Sequence, residues 1–276
     1  MTTNCIHAGE GSHIASQDEI NRRVYMAKGV DRGYRHLTLD RAETMVLLKY
    51  QAAFAGRDVL DVGVGAGRTA VYLAPLARRY EAVDYSPVMV ESARARVPGI
   101  AVRVADMRDL SAFADASFDF LLGSNNVLDA VSHEDRLRAL AQFRRVLRAG
   151  GMLVFSSHNR QYRNAWRGPT LDVSRNPVTQ AMNVVRWLRR LRNHLRIRGL
   201  RKREVDYSLL NDLGQDYACL HYYIDPQTQR RQLEGIGLQL VDVMDDQGRS
   251  LAASDAGQGS AWLMYVAKRE AAVPAD

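Results

Sequence analysis

From about residue 57 onward, short apolar runs alternate with stretches in which apolar residues recur every three or four positions. The run "RDVLDVG" predicts a buried strand, and "RTAVYLAPLA" after it has helical spacing. "YEAVD" is a second strand. "SPVMVESARARV" predicts a helix with Ser86 as its cap and Pro87 at its first position, where the missing N–H of proline is harmless. "GIAVRVAD" and "FDFLLGS" are a third and a fourth strand. "SHEDRLRALAQFRRVLRAGG" is a helix opened by a capping box, Ser132 with Asp135, with an inner stripe of Leu137, Leu140, Phe143 and Leu147 and glycines at its end. "MLVFSSHN" is a fifth strand. Strands and helices alternating at this spacing predict βαβ units and an α/β fold, a doubly wound, mostly parallel sheet. The rhythm stops at Asn159 and resumes with two further strands in "LEGIGLQLVDVMDD" and "SAWLMYVAKRE", for seven in all. The intervening segment, about 160–223, has no strand-like pattern and is expected to be a helical insertion after strand 5.

Length and charge sharpen this division. The 276 residues suffice for one large domain with an insertion: residues 1–50 as a polar tail and helical cover, 51–270 as the main domain, and 271–276 as a tail. Of the formal charge of +7, Arg186–Arg203 supplies +9, leaving −2 for the rest, so the basic character is local. Cys5 and Cys219 lack metal-ligand spacing, so neither a metal nor a disulfide framework is expected and a reducing cytoplasm is implied. No apolar run approaches the roughly 18 residues of a membrane span, and the N-terminus lacks the apolar core of a signal peptide.

The chemistry concentrates in "VLDVGVGAGRT", where three glycines separate a strand from a helix. A dinucleotide-binding G-x-G-x-x-G counted from Gly63 would need a small residue where Arg68 stands, and the G-K-[ST] of a phosphate-binding P-loop is absent. What remains, D-x-G-x-G-x-G, is either a tight turn that binds nothing or a loop of bare backbone against which a ligand lies. Asp61–Gly67 resembles the first motif of class I S-adenosylmethionine-dependent methyltransferases. The resemblance runs from about Gly56 to Asn159 and resumes weakly from Leu233 to Glu270. It implies the Rossmann-like methyltransferase fold, with S-adenosylmethionine as cofactor and S-adenosylhomocysteine as product. It also implies that Asp61, Gly63, Gly65 and Gly67 form the cofactor loop. Asp84, beside Tyr85 in "AVDYSP", would accept from the ribose hydroxyls. Asp106 and Met107 in "VADMRDL" would take the adenine amino group and flank the ring, and Asn125, with Asn126, would lie beside the methionine moiety. Ala149 in "VLRAGGMLVF" stands where the family usually has proline.

Methyl transfer to a hydroxyl calls for a general base, whereas an amine need only arrive deprotonated. Catalytic candidates near the open edge of the sheet are His158, directly after the fifth strand, Asp129 after "SNNVL", and His221 and Tyr222 in "LHYYID", with Tyr223 beside them. Each has a plainer reading as a loop, cap or packing residue, and His133 is expected to be an exposed helix-start residue. By the resemblance, the segment before the sheet is a helical cover, which makes Tyr25, Tyr34 and Arg35 candidates for the pocket wall. Within the insertion, Val184, Trp187, Leu188, Leu191 and Leu195 recur as one apolar stripe with arginines beside and opposite it. Three readings stay open for this basic helix: a solvated arginine face over a stripe packed on the domain or on a second copy of the chain; a peripheral contact of residues 184–203 with the inner face of an anionic membrane; or a grip on an anionic acceptor. Nucleic acid is the least favoured partner, since the remaining surface is near neutral or slightly acidic. The function implied is methylation at oxygen or nitrogen of a small or lipid-linked metabolite in a biosynthetic or tailoring step. Non-methyl chemistry on the same cofactor, for example on a quinone, and a non-catalytic partner subunit are the alternatives.

Overall fold

The structure, a computed structural model, describes residues 16–27 and 29–270. The expected terminal tails and Cys5 lie outside the described residues. Five strands, β1 (Asp58–Val62), β2 (Arg79–Asp84), β3 (Ala101–Val104), β4 (Phe118–Gly123) and β5 (Leu147–Asn159), pair in parallel in the order β3-β2-β1-β4-β5. The sheet continues antiparallel through β10 (Trp262–Arg269) to β9 (Leu238–Met244), which completes the seven expected strands. Alternate residues of each strand feed two cores, as the two-residue period of a strand requires. Leu60, Leu121, Leu153 and Tyr265 pack under α5 (His133–Val146) and α7 (Pro226–Glu234). Val59, Phe120, Val154 and Val266 pack under α2 (Arg41–Lys49), α3 (Ala70–Leu73) and α4 (Pro87–Arg96).

Several local expectations need correction. Helix α3 has only four residues, because Pro75 has no N–H to continue the ladder. Ser86 and Pro87 open α4 as expected, but the Ser86 hydroxyl makes no capping bond; its backbone N–H instead donates to Asp84 Oδ1 at 2.9 Å. In α5, Ser132 caps Asp135 N at 3.2 Å, but the buried face is Arg136, Ala139, Leu140, Phe143 and Val146. Leu137 is exposed and Leu147 already belongs to β5. His133 is not a free surface residue: its Nδ1 lies 2.8 Å from the Tyr222 hydroxyl and its ring stacks on Tyr207.

The insertion is not purely helical. It carries α6 (Pro177–Ile197) and a ribbon of β6 (Lys202–Arg203), β7 (Ser208–Leu210) and β8 (His221–Ile224), and β8 joins the end of β5 at His158↔Tyr223 and Asn159↔Ile224. Strands of two to four residues are too short to carry a period. The inward face of α6 is also rotated from the expected stripe. Val184, Trp187, Leu191, His194 and Ile197 are buried or half-buried, whereas Leu188 and Leu195 are exposed. Before the sheet, α1 (Gln17–Tyr25) is capped by Ser16 and Glu19 in a reciprocal capping box. Asn21 holds it down, donating to the carbonyls of Ala130 and Leu220, each at 2.7 Å, and accepting from Leu220 N at 2.9 Å.

Candidate active site

The loop after β1 turns at Gly63, Gly65 and Gly67, all at positive φ (70°, 55° and 79°). At Gly63 the need is steric as well as torsional, since a Cβ there would lie 2.3 Å from Val127 Cγ2. Gly63→Ala is therefore expected to lower the melting temperature by an amount equivalent to about 1–3 kcal/mol. Adding Val127→Ala should recover the overlap part but not the torsional part. A double variant no more stable than the single one, by thermal melting, would contradict this. Gly65 differs: a Cβ there would meet nothing within 4 Å, because the loop faces an open cleft.

That cleft has two halves sharing Gly63, Asp84, Tyr85, Val127 and Ala130. One half is walled by Asp106, Met107 and Arg22, the other by Tyr25, Tyr34, Ser124, Asn125 and Asn126. Asp84 sits at the junction. Its two oxygens accept from Gly65 N and Ser86 N, each at 2.9 Å, and burial raises its pKa because those two backbone bonds only partly offset the desolvation. Each oxygen keeps a free lone pair, so the carboxylate can take two hydroxyl donors. Two buried polar atoms on the walls, Ser86 Oγ and Asn126 Oδ1, have no protein partner. Unpaired acceptors and donors lining a cleft beside bare backbone suit a polar nucleoside-type ligand, so the residues fit the implied cofactor.

The remaining expected cofactor residues divide. Met107 lines the cleft, and so does Asp106, whose carboxylate Arg108 holds through Nε at 2.9 Å and Nη2 at 2.6 Å, with Arg22 at 3.4 Å. Burial would raise the Asp106 pKa, but Arg108 outweighs it and the group stays below its ordinary range. Asp61 does not face the cleft. It is 1% exposed and accepts from Thr69 Oγ1 and, at 2.8 Å, from the Tyr80 hydroxyl; burial pushes its pKa up to about 6. Its role is to brace the glycine loop. Arg68, too large for a dinucleotide loop, pairs with buried Glu43 on α2 and donates to Ser124 at 3.2 Å, so it ties the loop to the N-terminal helices. Tyr25 and Tyr34 line the cleft as expected, whereas Arg35 turns away to pair with Asp31 at 2.5 Å.

Beyond Tyr25 lies a buried polar chain. The Tyr25 hydroxyl is 3.2 Å from His221 Nε2, and His221 Nδ1 is 3.0 Å from Asp212. Asp212 also accepts from the Tyr223 hydroxyl at 2.6 Å and lies 3.6 Å from His158 Nε2. His158 Nδ1 is held by Asp129 at 2.7 Å. Burial alone would raise the Asp212 pKa and lower that of His221; their mutual charge reverses both, holding Asp212 well below its ordinary range and His221 well above. Burial drives the Tyr25 pKa upward. Two expected catalytic residues are displaced. Asp129 is fully buried among Arg136 Nη1 (2.5 Å), Ser157 Oγ (2.6 Å) and His158, so it orients His158 and touches no substrate. Tyr222 points to the opposite side of β8 from His221 and Tyr223, where it meets His133 and Gln232. His158 itself stands behind Asn126, 3.3 Å from its Nδ2, and is not a wall residue. Asp212 is the functional group the sequence did not signal.

His158, Asp212 and His221 also place three metal-type ligand atoms within 4.8 Å of one another. The two imidazoles are stacked, with centroids 5.0 Å and planes 15° apart, so their in-plane lone pairs do not converge on one ion. The carboxylate between them is arranged for hydrogen bonds.

A mostly parallel seven-stranded core whose glycine loop and strand-end aspartates line one cleft defines a Rossmann-like nucleoside-binding enzyme class. Residues 59–151 match the methyltransferase domain family. A "probable S-adenosylmethionine-dependent methyltransferase" of Mycolicibacterium smegmatis is 36% identical over 107 residues, which cover 38% of this chain and 40% of that protein, so the chain spans about two fifths of that relative's length. Among solved structures, the CcbJ methyltransferase from Streptomyces caelestis has a TM-score of 0.60 at 18% identity, covering 90% of this chain and 98% of that one. The Burkholderia thailandensis 1,6-didemethyltoxoflavin-N1-methyltransferase, solved with 1,6-didemethyltoxoflavin and S-adenosylhomocysteine, has a TM-score of 0.58 at 16% identity, covering 95% and 94%. At these identities the structures establish the fold. Residues 59–151 thus carry a methyltransferase domain, the fold around them is that of the S-adenosylmethionine-dependent methyltransferases, and the cleft fits S-adenosylmethionine as cofactor.

Proposed function

We propose that the protein methylates an oxygen or nitrogen of a small or lipid-linked metabolite, and that Tyr25, backed by His221 and Asp212, handles the acceptor's proton. The observation that carries this reading is the cleft itself, which runs from Asp106 and Met107 past Asp84 to the Tyr25 hydroxyl. The cofactor supplies a methyl group on a positively charged sulfur, so the protein's work is alignment, exclusion of water and proton management. Asp84 would hold the ribose hydroxyls, Met107 would pack on the adenine, and Asn125 and Asn126 would bind at the amino-acid end. Arg22, 5.3 Å above the Tyr85 ring, and Asn21 keep α1 closed over the cleft. For a hydroxyl acceptor, its proton passes to Tyr25 Oη while the Tyr25 proton passes to His221 Nε2. Asp212 then stabilises the imidazolium that results. His158, fixed by Asp129, is a positioning residue on the far side of Asp212.

Calorimetric titration with S-adenosylhomocysteine tests the cofactor half. Mass spectrometry of the spent cofactor, after incubation with hydroxyl- and amine-bearing metabolites, tests the transfer. Absence of binding would refute the reading, and a cofactor product other than S-adenosylhomocysteine would show non-methyl chemistry. Tyr25→Phe is expected to lower kcat on a hydroxyl acceptor by about 10²–10⁴-fold without changing S-adenosylhomocysteine affinity. The relay needs neutral His221, whose pKa lies above the ordinary histidine range. The wild-type rate should therefore rise with pH through that elevated value, and Tyr25→Phe should flatten the rise. A pH profile unchanged by the substitution would remove Tyr25 from the relay.

A further inference from the structure

Helix α6 presents its outer side to solvent in an ordered way. Val178, Met182, Val185, Arg189, Arg192 and Arg196 follow one another at intervals of four and three residues, so they form one line along the helix. The first half of the line is apolar, the second half basic. Val178 and Val185 are each 69% exposed and Met182 59%. Leu188 and Leu195 flank the line and are also exposed. The extended segment leading into the helix adds exposed Val173. No acid occurs between Pro177 and Arg203, and among the described residues only Arg189 and Arg190 of this helix are ion-paired, both with Asp216 and Arg190 also with Asp172. The opposite face already has its partners. Trp187 Nε1 donates to Pro169 O at 3.4 Å, Asn193 Nδ2 donates to Asp216 O at 3.0 Å, and the His194 ring meets Tyr217 edge-on. The outward apolar row is therefore not needed for packing, and rows of this kind on soluble surfaces mark interaction sites.

We propose that this face of α6 docks the protein on an anionic lipid bilayer. The partner must accept apolar side chains and positive charge along a single line about 30 Å long. A bilayer surface rich in anionic headgroups does both: the apolar half enters the headgroup–acyl boundary while the arginines meet phosphates. Nucleic acid would satisfy the arginines and leave the Val178–Val185 row in water. A second copy of the chain docked through the same patch about a two-fold axis would set arginines against arginines if the two helices ran parallel, and against the apolar row if they ran antiparallel, and neither arrangement supplies negative charge. Among the described residues no helix is long and apolar enough to cross a membrane, so the contact is a surface one. The docking face also communicates with the cleft. Arg189 and Arg190 hold Asp216 in a turn where Gln215, Asp216 and Tyr217 all have positive φ, and Gln215 Nε2 donates to the Tyr34 hydroxyl on the cleft wall. The bilayer would thus fix the orientation of the mouth through which a lipid-borne acceptor could enter. The docking itself does not depend on the identity of the acceptor.

Co-sedimentation of the full chain with vesicles of phosphatidylcholine alone, or of phosphatidylcholine mixed with phosphatidylglycerol, tests the proposal. The protein is expected to pellet with the mixed vesicles only, and less so as salt rises. The triple variant Arg186→Gln/Arg192→Gln/Arg196→Gln avoids the Asp216 pairs and should weaken partition roughly a hundredfold or more. Val178→Ser/Met182→Ser/Val185→Ser should weaken it while leaving all the arginines in place. Both variants should keep wild-type circular dichroism and S-adenosylhomocysteine affinity, which separates a failure of docking from a failure of the cofactor reading. Equal pelleting with neutral vesicles, no pelleting, or partition unchanged in either folded variant would overturn the proposal. So would a self-association or an RNA affinity that the same variants abolish in the absence of any vesicle binding.

Discussion

Asp84→Ala is expected to weaken S-adenosylhomocysteine binding by on the order of a hundredfold to ten-thousandfold. The substitution removes two hydrogen bonds to a charged acceptor, each worth about 1.5–3 kcal/mol, and also frees the Gly65 and Ser86 N–H groups that shape the loop. The companion variant Asp84→Asn separates binding from folding. It keeps one acceptor oxygen and sheds a carboxylate that is buried with no cation beside it. Its affinity should therefore fall, and the melting temperature of the free protein should drop less than in Asp84→Ala, since the new NH2 faces one of the Gly65 and Ser86 N–H donors while loss of the buried charge offsets part of that cost. The wild-type affinity should also depend on pH. Burial raises the Asp84 pKa in the free protein, whereas hydroxyl donors favour the carboxylate. Affinity should thus decline as pH falls through a value above the ordinary aspartate range, and Asp84→Asn should lose that decline. Calorimetry across pH measures both. Wild-type affinity in Asp84→Ala would show that this carboxylate does not hold the ligand.

The second large effect is on stability. Asp129→Ala is expected to cost about 3–5 kcal/mol in urea unfolding, because it leaves the fully buried Arg136 guanidinium without its counter-ion. Ser157 and Gln229, at 3.1 Å and 2.6 Å from Arg136 Nη2, can satisfy its N–H groups but not its charge. Removing both charges, as Asp129→Ala/Arg136→Met, should cost clearly less than the sum of the single changes. Additive costs in this double-mutant cycle would mean that the pair is not coupled. The same variant releases His158, whose Nδ1 and backbone N–H both bond Asp129. Asp129→Ala should consequently lower the transfer rate on a hydroxyl acceptor even at temperatures where it remains folded.

Strand parity alone sorts several of these side chains to one face or the other. Asp61 has the same parity as Val59 and so faces the α2–α4 side, where Tyr80 and Thr69 reach it, rather than the cleft. Parity likewise separates Tyr222 from His221 and Tyr223. Arg136 was hidden for the opposite reason. An arginine on a helix reads as a solvated residue, and only the convergence of Asp129, Ser157 and Gln229 from three other segments makes its burial affordable.

What the sequence determined by itself was local. The alternation of apolar periods set the order of the seven strands and their helices, and the resemblance of the glycine loop and the strand-end acids to methyltransferase motifs pointed to Asp84, Asp106 and Met107, which line one cleft. Each motif is local, a glycine run or an acid at the end of one strand, so each can be recognised along the chain without the tertiary structure. The tertiary structure decided the proton-handling end and the basic helix. Tyr25, His158, Asp212 and His221 come from four segments up to about two hundred residues apart, and no local period links them. Which side of α6 faces outward was also a tertiary decision. Two apolar stripes compete on that helix; the ribbon and the turn at Asp216 bury one and leave the other, with its arginines, in solvent.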